Sequence, residues 1–406
     1  MMITRFSVSN FKNLKNVSDL TFDRINALIG PNGSGKSSLL QAIDFLRAFF
    51  MTSVEVYLKE RQWDYKDLPN LREVHKKITW DVEAVLPANR EGIGAGTYRY
   101  TVALSPRRYL AVGEERLEYR SAGSPAATLL LARTGRSVKL RNRKTGALEE
   151  FKEVGLPASV MSRLDPRRDH GKYPEMLRFR EWVESFRAFL LWDPKVLRAP
   201  DRGKHETLGP SGEHLAPLLG RLKREHGDGF SKLINRVKRL FPTVSDISVQ
   251  GGRAWGWQTL RLHEGDGQAA VFNSQQMSDG VLRLLAVTSL LYLDRIPAAI
   301  TFEEPENGVH PQLIREVVQV LKELTLRKPP NQCQVFFTTH SPYVLDEFLE
   351  HPEQVLLVER GKPLEGAAIT RLSERHQLKI VREAFEHSLG EAWVMGLLGA
   401  TAGAKP

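Results

Sequence analysis

Cysteine is nearly missing: Cys333 is the one thiol in 406 residues. That excludes an internal disulfide and any zinc site built on a C-x-x-C pair, and it fits a reducing, cytoplasmic compartment. Long apolar runs are missing as well. None approaches the roughly 18 residues of a membrane span, so no membrane partner is expected. The first residues, Met-Met-Ile-Thr-Arg-Phe-Ser-Val-Ser, alternate like a strand and lack the plan of a secretory leader. No heptad pattern persists over three or four repeats, which argues against a long coiled-coil arm. An acidic excess is absent too. The 58 Lys and Arg residues outnumber 48 Asp and Glu, a net +10, which permits a nucleic-acid partner without requiring one.

Against these absences stands one dense stretch, Gly30-Pro31-Asn32-Gly33-Ser34-Gly35-Lys36-Ser37. It fits G-x-x-x-x-G-K-[ST], a phosphate-binding loop. The run before it, Ile25 to Ile29, reads as a short buried strand. After it, Leu39, Ile43, Leu46 and Phe50 recur at 4, 3 and 4, one stripe of a helix. The glycines thus fall where a strand turns into a helix, so that backbone N–H groups and the helix N-terminus can face an anion. Lys36 is expected to reach the β- and γ-phosphates and the Ser37 hydroxyl to bind Mg²⁺. Asn32, Gly33, Ser34, Gly35, Lys36, Ser37 and Ser38 are the candidate nucleotide contacts.

The rest of the chain divides by pattern. Ile3–Val8 and Leu20–Phe22 read as strands, with a polar turn at Ser9 to Asn13; residues 51–75 give no clear signal. From Lys77 to about Phe151 alternation predicts antiparallel strands. A basic stretch there, Arg133, Arg136, Lys139, Arg141, Arg143 and Lys144, is either a solvated hairpin face or a contact to a phosphate backbone. Residues 160–245 return to helical spacing, in stripes such as Phe179, Trp182, Val183, Phe186 and Phe230, Leu233, Ile234, Val237, Leu240. Residues 246–272 alternate again, as strands leading back to the core.

Three late motifs carry chemistry. Ser278-Asp279-Gly280 precedes an apolar helix, as an N-cap or as a second phosphate-binding helix N-terminus. Ala298 to Asn307 is an apolar strand ending in Glu303-Glu304-Pro305-Glu306. A parallel strand beside a phosphate loop opens its C-terminal end to the same crevice. There one carboxylate can enter the magnesium shell and the next can orient water. Gln334 to Thr338 is another buried strand, delivering Thr339-His340-Ser341-Pro342; His340 is placed to bond a γ-phosphate oxygen or the attacking water. A further strand at Glu353–Glu359, an edge at Ile369–Leu372 and a helix at Leu378–Ser388 follow.

In this order the motifs resemble the Walker A, signature, Walker B and switch-histidine elements of ABC-type ATPases of the chromosome-maintenance and recombination-repair kind. Ser278-Asp279-Gly280-Val-Leu-Arg-Leu-Leu-Ala, Glu303 to Pro311, Thr338 to Pro342 and Leu389-Gly-Glu-Ala-Trp-Val-Met-Gly resemble stand-alone predicted AAA-family ATPases, relatives of the overcoming-lysogenization-defect group. The matching stretches are about residues 1–45 and 270–400. The resemblance implies an α/β P-loop NTPase fold, an ABC-type ATPase head with an antiparallel β-subdomain and a helical insertion. It implies an ATPase that uses ATP and Mg²⁺. Lys36 and Ser37 would hold phosphate and metal, Glu303 would take the metal-shell position, Glu304 the catalytic position, and His340 would sense the γ-phosphate. Ser278 and Gly280 would act in trans across a head-to-tail homodimer, with Asn307 to His310 at the seam. DNA and a separate nuclease or effector protein are the implied partners, in anti-phage defence or repair. Two departures stand out: Glu303 replaces the usual Asp, and His310 lies where Asp is common. No compact Asp-x-Asp motif follows His340, so no Toprim nuclease domain is expected in this chain. The expected domains are residues 1–50 with 76–155 (first ATPase lobe), 156–245 (helical insertion), 246–400 (second lobe) and a loose tail at 401–406.

Overall fold

The computed structural model describes residues 1–399 except 90–91, 106–110, 153–156, 191, 252–255, 266–269, 329–330, 362–365, 376–377 and 379–387. The chain forms two compact units: Met1–Phe186 with His351–Ile380 and Gly396–Pro406, and Arg187–Glu350 with Val381–Met395. Residues 351–380 therefore belong with the phosphate loop rather than with the second lobe expected from the sequence. The cause is strand pairing, described below. Most of the helix expected at Leu378–Ser388 and the tail at 401–406 lie outside the described residues.

The first unit begins with β1 (Met2–Phe11), β2 (Leu14–Thr21), β3 (Ile25–Ile29), α1 (Lys36–Asp44) and α2 (Val54–Arg61). β4 (Ile78–Leu86), β5 (Gly96–Ser105), β6 (Ala111–Ser121), β7 (Thr128–Thr134), β8 (Ser137–Arg141) and β9 (Leu148–Lys152) follow, then α3 (Pro174–Glu184). Eight of these strands make one antiparallel sheet in the order β2-β1-β4-β5-β6-β7-β8-β9. The alternation along β4 turns Ile78, Trp80, Val82, Ala84 and Leu86 inward, as a period of two requires.

That inner face seats the helix behind the phosphate loop. Trp80 donates from its indole N–H to the Ala42 carbonyl at 3.1 Å. It stacks on Phe45, centroids 5.2 Å apart and planes 6° off parallel, and meets Phe11 and Phe49 edge-on. Fully burying side chains of this size contributes about 1.5–3 kcal/mol each. Regular helix stops at Asp44, short of the span the sequence suggests. Phe45–Phe50 tighten into a 3-10 segment that sets Phe45 and Phe49 on Trp80. Asp44 is buried and takes hydrogen bonds from the Tyr57 hydroxyl and the Arg61 guanidinium of α2. α3 belongs to the same core: Phe179 packs on Phe50, Tyr98 and Tyr100.

The second unit holds β10 (Arg187–Phe189), α4 (Pro194–Arg198), α5 (Leu215–Glu225), α6 (Gly227–Leu240), β11 (Val244–Gly251), β12 (Gln258–Glu264) and β13 (Ala270–Asn273). After these come α7 (Asp279–Ser289), β14 (Ala299–Glu303), α8 (Pro311–Thr325), β15 (Gln334–Thr339) and α9 (Pro342–Asp346). β10, β14 and β15 pair in parallel, with Glu303 opposite Thr338. β14 and β15 are buried on both faces as far as Phe302 and Thr339, which is why they read as continuous apolar runs. β11, β12 and β13 form a separate antiparallel sheet instead of strands rejoining the core. Cys333, just before β15, is fully buried, and burial pushes its thiol pKa up.

The chain re-enters the first unit with β16 (Val355–Arg360) and β17 (Ala367–Arg371). β16 pairs in parallel with β3, Val355 opposite Ala27 and Leu357 opposite Ile29, and antiparallel with β17. α10 (Leu389–Val394) closes the second unit against α9, where the Gly390 N–H donates to Asp346 Oδ1 at 2.9 Å.

Candidate functional site

The loop from Gly30 to Gly35 leaves β3 and enters α1, the placement its spacing predicts. Gly33 and Gly35 have φ of 71° and 121°, a region open to glycine and strained for other residues. α1 starts at Lys36 behind Gly35, which offers no side chain to cap it, so its first N–H groups are left for a ligand. Lys36 is buried and lies over the loop, its Nζ donating to the Gly30 carbonyl at 2.7 Å and the Pro31 carbonyl at 3.1 Å. Ser34 is buried, and its Oγ has no hydrogen-bond partner among the described residues. An orphaned donor in an uncapped helix N-terminus, with a lysine at the loop mouth, fits a phosphate chain.

In the second unit, the ends of β14 and β15 gather acid and histidine. Glu304 follows β14 with φ of 46°. This left-handed backbone is strained by about 1–2 kcal/mol. The Glu304 N–H is held by Thr338, by its carbonyl at 3.2 Å and its Oγ1 at 3.1 Å. His340 Nε2 stands 3.4 Å from Glu304 Oε1, and both side chains are partly exposed. Glu306 is the buried acid of the group. It accepts a hydrogen bond from Thr339 Oγ1 at 2.5 Å, while its Oε2 has no partner among the described residues. Burial raises the Glu306 pKa, the Thr339 bond opposes that shift, and the nearby Glu304 charge adds to it. Thr339 Oγ1 also accepts from the Ser341 N–H at 3.0 Å, so one hydroxyl ties the acid loop to the start of α9.

Ser278 is the N-cap of α7: its Oγ accepts from the Val281 N–H at 3.3 Å. Asp279 is bonded by Arg198 of α4, and Gly280 has open space where a side chain would stand. His310 caps α8, its Nδ1 accepting from the Gln312 N–H at 3.3 Å. Gly308, in the same turn, lies against the buried Arg283 of α7; a Cβ there would meet Arg283 Nε at 3.1 Å.

Most of the basic stretch flagged in the sequence is engaged within the fold. Arg133 is buried and donates to the Gly135 and Ala158 carbonyls. Arg141 donates to the Leu129 and Gly146 carbonyls, both at 2.7 Å. Arg143 pairs with Glu175 at 3.1 Å and Lys139 with Glu150 at 3.8 Å. A freer set lies on α6. Lys232, Asn235, Arg236 and Arg239 stand at i, i+3, i+4 and i+7, one helix face, and with Lys238 and Tyr292 they line a cavity of about 600 Å³. Arg236 is fixed by Glu316 and Glu323. Lys232, Lys238 and Arg239 make no ion pair among the described residues.

A loop between a buried parallel strand and an uncapped helix, with lysine at its mouth, defines a P-loop nucleotide-binding domain. The family model described as "AAA domain, putative AbiEii toxin, Type IV TA system" matches residues 25–346, and the chain belongs to that family. In its motif order it resembles ABC-type ATPase domains of the RecF and OLD kind. The OLD nuclease of Thermus scotoductus is 23% identical over 362 residues, 85% of this chain and 60% of that protein. The DNA replication and repair protein RecF of Pasteurella multocida is 55% identical over 47 residues, 11% of this chain and 13% of that one. The chain thus spans less than two thirds of the OLD nuclease and a small part of RecF. Among solved structures, an SMC head bound to the C-winged helix domain of ScpA is 14% identical, covering 92% of this chain and 99% of that chain, with a TM-score of 0.49.

The sequence-predicted residues therefore fall in two groups. Asn32 to Ser38 stand together in the first unit; Glu303, Glu304, His340, Ser278 and Gly280 belong to the second. Glu306 was visible in the acidic run but unassigned, and Arg360, which bonds the Asn32 carbonyl at 2.9 Å, gave no signal at all. Replacing Thr339 with Val removes both bonds to its hydroxyl and leaves the buried Glu306 carboxyl with backbone N–H donors alone, from Glu306 itself and His340. The expected loss is about 1–3 kcal/mol, read as a lower urea midpoint; an unchanged midpoint would mean that the hydroxyl is not holding Glu306.

Proposed function

We propose that this chain binds and hydrolyses ATP, pairs head to tail with a second copy when ATP is bound, and acts on DNA or governs a DNA-directed effector. The observation that carries the nucleotide reading is the uncapped loop with its orphaned Ser34 hydroxyl and its lysine. In this reading the N–H groups from Gly33 to Ser38 cradle the phosphates, and Lys36 turns from the loop carbonyls to the β- and γ-oxygens. Ser37 and Glu303 would hold Mg²⁺, which neutralises phosphate charge when bound. Glu304 orients a water for attack on the γ-phosphorus and takes its proton. The bond from the γ-phosphorus to the bridging oxygen breaks, giving ADP and phosphate. His340, beside Glu304, steadies that carboxylate and meets a γ-oxygen. Ser278 and Gly280 complete the partner copy's site.

Lys36→Ala is expected to abolish ATP binding and turnover. Glu304→Gln should retain ATP binding and lower phosphate release by at least ~100-fold. Steady-state phosphate release and a nucleotide-binding titration check both, and wild-type turnover in either variant removes that residue from the mechanism. If wild-type protein binds ATP and releases no phosphate, the chain is a nucleotide-switched module instead.

In solution, Glu304→Gln should shift from the mass of one chain to that of two when ATP and Mg²⁺ are added. A mass that stays at one chain would exclude the trans role of Ser278.

The α6 face suits a phosphate backbone better than the hairpin does. Lys232→Glu with Arg239→Glu should weaken duplex DNA binding and reduce the slope of log affinity against log salt by about 2. An unchanged slope would place the DNA contact elsewhere.

A further inference from the structure

The loop at Gly30 has three successive carbonyls, and each is held by a cation. Lys36 takes Gly30 and Pro31. Arg360, the last residue of β16, takes Asn32, its Nη2 donating to that carbonyl at 2.9 Å. The register brings Arg360 there. β16 runs parallel to β3, with Leu357 opposite Ile29. One step on, Val358 lies against Gly30, where a Cβ would stand 2.0 Å from the Val358 carbonyl. Two residues further along the same strand face, Arg360 reaches the loop tip. Gly33 leaves room for it: a Cβ on Gly33 would stand 2.9 Å from Arg360 Nη2. The neighbouring Glu359 points elsewhere, bonded to Arg375. No carboxylate pairs with Arg360 among the described residues.

We infer that Arg360 is a positioning residue for the triphosphate, one that aims the Gly33 N–H into the phosphate nest by holding the Asn32 carbonyl. A trans peptide is planar, so its carbonyl and its N–H point in opposite directions. Fixing the Asn32 carbonyl on the outer side of the loop turns the Gly33 N–H to the inner side. The inference rests on the ATP reading above and adds a division of labour to it. Lys36 commits two of its three N–H donors to the Gly30 and Pro31 carbonyls, and each one it turns to a phosphate oxygen leaves the loop. When it swings to ATP, Arg360 is the cation that stays on the loop. It keeps the tip, which has glycine on both sides of Ser34, from relaxing as Lys36 departs.

The test uses the full chain with Arg360→Ala, Arg360→Lys and Lys36→Ala, and reads ATP and ADP affinity, KM, kcat and thermal midpoint. Arg360→Ala is expected to weaken ATP and ADP binding about tenfold, the scale of one well-aligned hydrogen bond. KM should rise in step, kcat should stay within about threefold, and the midpoint of the nucleotide-free protein should not move. Arg360→Lys should recover most of the affinity, because one ammonium N–H can reach the same carbonyl. Wild-type affinity in Arg360→Ala overturns the inference. So does equal weakening in both Arg360 variants with a lowered midpoint, which would mean a role in folding only. Lys36→Ala separates the two levels: if it too leaves ATP binding intact, the nucleotide site itself is wrongly placed; if it alone abolishes binding, only the role of Arg360 fails.

Discussion

The closeness of β16 to the end of β3 is the constraint on which the first unit's site depends. At Gly30 the two backbones leave no room for a side chain: the Val358 carbonyl occupies the place a Cβ would take. That approach fixes where the chain leaves the sheet. It also fixes the register that puts Arg360 beside Asn32, and it recruits residues 351–380 into the unit that carries the phosphate loop. A larger residue at Gly30 would push the strands apart and move both edges of the loop at once.

Behind the loop the architecture is rigid; at its mouth it is not. α1 is clamped by Trp80 on the sheet and by Asp44, whose carboxylate is shared between Tyr57 and Arg61. The Trp80 contacts are aromatic and buried, and the Asp44 carboxylate is buried with its partners, so α1 cannot slide without opening a cavity or breaking these bonds. Lys36, by contrast, bonds the Gly30 and Pro31 carbonyls, which a phosphate oxygen, bearing full charge, can outcompete. The acid end in the second unit shows the same division. Glu306 is buried and hydrogen-bonded, while Glu304 and His340 keep a looser 3.4 Å contact on a strained turn.

What could be read from the sequence was local. The phosphate loop declares itself in eight adjacent residues, and β4 to β9 declare themselves by alternation. Several features were hidden because they depend on pairing across long stretches of chain. The stripe Leu39, Ile43, Leu46, Phe50 is equally compatible with a helix and with a helix that tightens after Asp44; only the position of Trp80 decides. Nothing near Arg360 marks it, since its partner lies 328 residues earlier. The basic run from Arg133 to Lys144 left two readings open, a solvated hairpin face and a phosphate-backbone contact, for a related reason. Counting charges does not count the carbonyls that absorb them: Arg133 is buried on backbone carbonyls, and the half-buried Arg141 is bonded to two more. The separate sheet of β11 to β13 was foreseen as strands, but alternation alone cannot say which sheet a strand will join.

The lone thiol has a consequence of a different sort. Cys333 is sealed at the foot of β15, and burial disfavours its thiolate, the form that attacks alkylating reagents. The native chain is therefore close to blank toward maleimide dyes and spin labels. A single cysteine introduced at an exposed position would be the one reactive point on each copy. Distances across a pair of copies could then be measured by fluorescence or electron spin resonance without first removing a native cysteine.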